Sequence, residues 1–141
     1  MIEQIKLFLM AFPGWEGGLP VDHLQNTPGS CGLFCTGEEE LSRKTDLLGN
    51  VTVRCRCKFK LYRVLADGED NLELANWGLS LQRWLQSRSA RRLAPILGDV
   101  PQSERIYSGK GHFSATRQTG TGRYQLTVMA EYTKIYQNEG V

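Results

Sequence analysis

Hydrophobic and polar residues alternate most strictly in Val51–Leu65. Val51, Val53, Cys55, Cys57, Phe59 and Leu61 take the odd positions, and Thr52, Arg54, Arg56, Lys58, Lys60 and Tyr62 the even ones. Only an extended strand places every second residue on one face. The pattern predicts a strand with a core-facing apolar side and a cationic side. A different period appears at Leu74, Trp77, Leu81, Trp84, Leu85 and Arg88. That spacing predicts a helix of about five turns, with Asp70 as N-cap and Glu73 three residues on. Ile2, Ile5, Phe8, Leu9 and Phe12 give a shorter helical stripe over residues 2–12, stopped by Pro13-Gly14.

The remaining segments are read from weaker signals. Gly14–Gly29 is rich in glycine and proline and reads as a long connection. Ser30–Thr36 is a short apolar run, expected as a strand of about five residues with a bulge or close approach at Gly32. Gly37–Asn50 reads as a charged loop, with Glu38, Glu39 and Glu40 answered by Arg43 and Lys44 and a turn at Gly49-Asn50. Ile106–Gln118 and Arg123–Gln137 read as a long hairpin around Thr119, Gly120, Thr121 and Gly122, its first strand bulged or at an edge because of Gly109 and Gly111. A hairpin of this length is expected to protrude or to reach a neighbouring subunit. Consecutive strands without alternating helices predict an α+β fold. Its sheet is expected to be mixed and mostly antiparallel, with the N-terminal helix and the longer central helix on one face.

Composition changes this picture little. The 141 residues fit a single domain spanning 1–141. A net charge of +2 is too small to argue for nucleic-acid binding on its own. The longest apolar run falls short of the roughly 18 residues of a transmembrane helix. Glu3 lies where a secretory signal would be basic, so a soluble, non-secreted chain without membrane association is the expectation.

Candidate chemistry is sparse. Cys31, Cys35, Cys55 and Cys57 form CxxxC and CxC, which is not a standard zinc spacing. Buried apolar thiols in a reducing compartment fit best, because Cys55 and Cys57 share a strand face with valines and a phenylalanine. A metal site with Cys31 and Cys35, or a disulfide, stay open. GKG at 109–111 is followed by no helix, so it is no phosphate loop. His23 reads as a solvated loop side chain, and His112 lies in a strand. No catalytic residue, cofactor or metal ligand is expected.

The string GSCGLFCTG, then DLLGN, then a long alternating strand with basic residues resembles small tail proteins of long-tailed bacteriophages and prophages, the minor capsid or minor tail proteins. The order of helix, strands, central helix and final hairpin is similar to that of the tail-terminator proteins. Cys35 departs from the pattern. The resemblance implies a non-enzymatic assembly protein of the virion tail, put together in the bacterial host cytoplasm. It implies a homo-oligomeric ring, typically hexameric, that caps the tail tube and joins it to the head–tail connector or neck, with DNA passing through unread. It also implies uses for residues the core does not need. Glu38–Glu40 would meet a basic neighbour, Arg54, Arg56, Lys58 and Lys60 would line an interface or the lumen, and Thr119–Gly122 would reach the next subunit. Two other classes stay in view: a nucleic-acid-binding module using the cations of 51–65, and a small ligand-binding α+β domain.

Overall fold

The computed structural model describes residues 1–115 and 122–140. The elements are α1 (Ile2–Met10), β1 (Cys31–Thr45), β2 (Val51–Val64), α2 (Asn71–Ala90), β3 (Arg105–Ser108), β4 (His112–Ala115) and β5 (Gly122–Tyr136). They form an α+β fold. The sheet runs β1-β2-β5-β3, with β4 also paired to β5. Every ladder is antiparallel, and the isolated bridge Val21–Leu33 is parallel. No described helix is long and apolar enough to cross a membrane.

The alternation in β2 holds as expected. Val53, Cys55, Cys57, Phe59 and Leu61 are buried, while Arg54, Arg56, Lys58 and Lys60 are half-buried on the opposite face. β5 supplies Tyr124, Leu126, Val128, Ala130 and Tyr132 to the same buried side. Burying such side chains contributes about 1.5–3 kcal/mol each, which is what drives the two strands to share one face.

α2 begins where its cap predicts: the Asp70 carboxylate accepts from the Glu73 N–H at 2.8 Å. Its buried stripe is Leu74, Gly78, Leu81 and Leu85. Gly78 lets the helix approach β5, because a Cβ there would lie 2.3 Å from the Tyr124 ring. α1 ends at Met10, two residues short of the expected span, and buries Ile5 and Leu9. Phe8 and Phe12 pack on Trp84 with ring centroids 5.0 and 5.7 Å apart, and Phe12 and Trp15 pack on Trp77. Both tryptophans are thus packing residues that join α1 and the following loop to α2.

Three expectations are corrected. Gly37–Asn50 is not a charged loop: residues 37–45 continue β1, giving a 15-residue strand whose partners run from Arg63 to Val51. The strand gave no period because every residue from Cys35 to Thr45 is exposed, so neither face demands apolar side chains. The turn proper is Asp46–Asn50. There the Asp46 carboxylate accepts from the N–H groups of Leu48 and Asn50, and Gly49 takes φ +85°. Second, Ile106–Gln118 is not one strand. Its described part is split into β3 and β4 around Gly109–Gly111, where the Tyr124 hydroxyl occupies the space a side chain on Gly111 would need. Third, β5 does not project from the domain. It is an interior strand, paired to β2 on one side and to β3 and β4 on the other.

Candidate functional site

The charged residues singled out above converge on the sheet face away from the helices and on the β1 edge. Antiparallel pairing sets Glu39 beside Arg56 and Glu131 on the other side of the same arginine. Arg56 Nη1 lies 3.1 Å from Glu39 Oε1, and its Nη2 lies 3.5 Å from Glu131 Oε2. Lys58 Nζ is 3.4 Å from Glu39 and Arg54 Nη2 is 3.7 Å from Glu131. Arg54 also donates to the Thr133 hydroxyl at 3.0 Å. Lys60 has no ion pair among the described residues. The cationic face is therefore an alternating-charge ladder across three strands.

The three acidic residues part company because successive residues of β1 face alternate sides of the sheet: Glu38 and Glu40 lie opposite Cys57 and Cys55, and Glu39 opposite Arg56, a phase set by the bulge between Cys35 and Gly37. Glu39 joins the ladder. The hydrogen bond with Lys58, then its charge and those of Arg56, hold the Glu39 carboxyl below the usual range. Glu38 falls on the opposite face, opposite Cys57, and accepts from the hydroxyl of buried Tyr132. Burial first, then that glutamate, pushes the Tyr132 hydroxyl well above the usual phenol range. Glu40 pairs with Arg43 at 2.7 Å in solvent, and its carboxyl is lowered by that contact. Thr119, Gly120 and Thr121 lie outside the described residues. Gly122 opens β5 opposite Ala115, and its carbonyl accepts from the Leu65 N–H.

Two members of this network were not singled out from the sequence. Glu131 is the acceptor shared by Arg54, Arg56 and the Tyr107 hydroxyl. Its signal was its place among the odd-numbered, polar-face residues of β5, which only the β2–β5 register turns into a contact. Tyr107 sits in the four-residue β3, with the Arg105 guanidinium 4.3 Å above its ring.

Among the described residues the β1 strand has a partner strand on one side only. Its first residues are covered, since Leu33 N–H donates to Pro20 and Asp22 N–H donates to Leu33. Beyond Leu33 no described strand lies along its outer edge. At the end of this edge Leu47 and Leu48 extend into solvent. Among the described residues no group of three or more His, Cys, Asp or Glu side chains is placed to hold a metal ion. No protein-family model matches the chain, and no curated protein matches its sequence.

Proposed function

We propose that this chain is a structural, non-enzymatic subunit of a bacteriophage or prophage tail, which assembles as a ring at the end of the tail tube and joins it to the neck. The observation that supports this most is the open edge of β1, exposed on both faces from Cys35 to Thr45. Long open edges are templates for strand addition, and charges and bulges such as those on β1 restrict pairing to a matched partner. Here the edge carries Glu39, Glu40, Arg43 and Lys44 and ends at the solvated Leu47 and Leu48. Charges of both signs fix the register and choice of a partner, and the leucines supply apolar area at its end. The sequence resemblance to small tail proteins points to which partners these are: further copies of the chain, the tail-tube protein and the neck.

The cationic face favours protein contacts over nucleic acid. Arg54, Arg56 and Lys58 already share Glu39 and Glu131. Phosphates would have to displace those carboxylates, which removes much of the counterion gain that drives such binding. DNA then passes the ring without being read.

Deleting this reading frame from its phage or prophage tests the proposal. Electron micrographs are expected to show filled heads and tail tubes that do not join, with joining restored when the chain is supplied from a plasmid. Normal virions in the deletion would overturn it.

A further inference from the structure

The four cysteines are not equivalent. Cys31, Cys55 and Cys57 are buried, and Cys35 is exposed. Cys35 and Cys57 meet across the β1–β2 ladder with their sulfurs 3.7 Å apart. The contact is made at the first β1 bulge, where pairing passes from Cys35–Phe59 to Gly37–Lys58 and Thr36 becomes the extra residue. Two sulfurs in van der Waals contact need an approach of roughly 1.7 Å more to reach the bonded separation of about 2.05 Å. That movement falls on side-chain rotation and on the bulged edge segment, where the Thr36 hydroxyl donates to the Lys58 carbonyl at 3.1 Å. Thr36 and Gly37 are exposed, and Gly37 has φ +126° with open space around its Cα.

We propose that Cys35 and Cys57 form a redox-active dithiol, which hydrogen peroxide converts to an intrachain cystine that ties the open edge of β1 to β2. The exposed Cys35 sulfur attacks peroxide. An S–O bond forms, the O–O bond breaks and one water leaves, giving a sulfenic acid. The Cys57 sulfur then attacks that sulfur, the S–S bond forms, the S–O bond breaks, and the departing hydroxide takes the Cys57 proton as a second water. Two thiols lose two electrons and the peroxide is reduced to water. Burial, and after it the contact with Cys35, pushes the Cys57 thiol up to about 12. The second step therefore accelerates with rising pH. The pairing also protects Cys35, because a resolving thiol in contact intercepts the sulfenic acid before it is oxidised further. This inference rests on the thiol geometry and is independent of the tail reading.

The full-length chain is treated with hydrogen peroxide at pH 8.5, alkylated and digested with trypsin without reduction. The expected product is a monomer about 2 Da lighter, with two of four thiols lost and both recovered by dithiothreitol. Cleavage after Arg54, Arg56 and Lys58 separates Cys55–Arg56 from Cys57–Lys58, and the bridge is read as the dipeptide Cys57–Lys58 linked to Leu7–Arg43, in which fragmentation between Cys31 and Cys35 places it on Cys35. Cys35→Ser and Cys57→Ser are expected to abolish the lighter product, and Cys55→Ser to keep it. A cystine containing Cys31 or Cys55, a disulfide-linked dimer as the main product, or sulfinic acid at Cys35 with Cys57 still alkylatable would each overturn the proposal.

Discussion

Removing the carboxylate of Glu131 strips Arg54, Arg56 and Tyr107 of their shared acceptor. The Glu131 side chain is only 12% exposed and those of Arg54 and Arg56 are 24% and 28% exposed, so water replaces the lost carboxylate incompletely. Glu131→Ala is expected to cost about 1–3 kcal/mol, since Tyr107 loses its acceptor and the arginines lose one partner while Arg56 keeps Glu39 and Arg54 keeps Thr133. Glu40→Ala removes an ion pair that stands in solvent and is expected to cost no more than about 0.5 kcal/mol. Urea unfolding of the two variants checks the contrast, and equal losses would contradict it. Gly78 gives a second residue-scale case. Alanine there gains about 1 kcal/mol of helix propensity. It also places a methyl inside contact distance of the Tyr124 ring. Overpacking of this kind costs about 1–3 kcal/mol, so Gly78→Ala is expected to lower stability, and a more stable variant would show that Tyr124 yields freely.

At the level of elements, β1 decides most. It is the edge strand, while β2 is flanked along its length by β1 and β5. Hydrogen exchange is expected to protect β2 continuously and residues 38–45 of β1 only at the amides facing β2. Uniformly fast exchange over 38–45 would contradict the strand. How much could be read from the chain follows from the same geometry. β2, β5 and α2 each bury one face, and burial writes a period of 2 or 3.6 into the residues. The second half of β1 buries neither face, so its glutamates and lysine carry no period and read as a loop. The pause between β3 and β4 was half legible, as glycines at 109 and 111, but its cause is the Tyr124 side chain arriving from another strand. For the candidate site, Arg54, Arg56, Lys58 and Glu39 were legible as charges. Their partition into a ladder was not, because a segment read as a loop has no faces: strand alternation puts Glu38 and Glu39 on opposite sides, and the bulge between Cys35 and Gly37 sets which of them meets Arg56.

At the scale of the whole molecule, protonation bounds the stable range. The carboxyls of Glu39, Glu40 and Asp46 lie below their ordinary values through hydrogen bonds from Lys58, Arg43 and Asn50 respectively. Groups lowered in the folded state contribute stability above the unfolded pKa of about 4–4.5 and lose it as pH falls through the folded value. The thiols of Cys31, Cys55 and Cys57 and the hydroxyls of Tyr107, Tyr124 and Tyr132 are raised, in each case first by burial. Their contribution is complete below the unfolded values, about 8.5 for thiols and 10 for phenols, and declines above them because the unfolded chain ionises first. Thermal midpoints are expected to be level between about pH 5 and 8.5 and to fall on both sides. A midpoint still rising above pH 9 would contradict this.

On the proposed function, the open β1 edge with charges of both signs, ending in two solvated leucines, is covered by a partner in the assembly. Electron microscopy of the purified chain mixed with assembled tail tubes tests this most directly. The account predicts a ring of density at one end of the tubes. Bare tube ends, with the chain still monomeric in the same mixture, would contradict it.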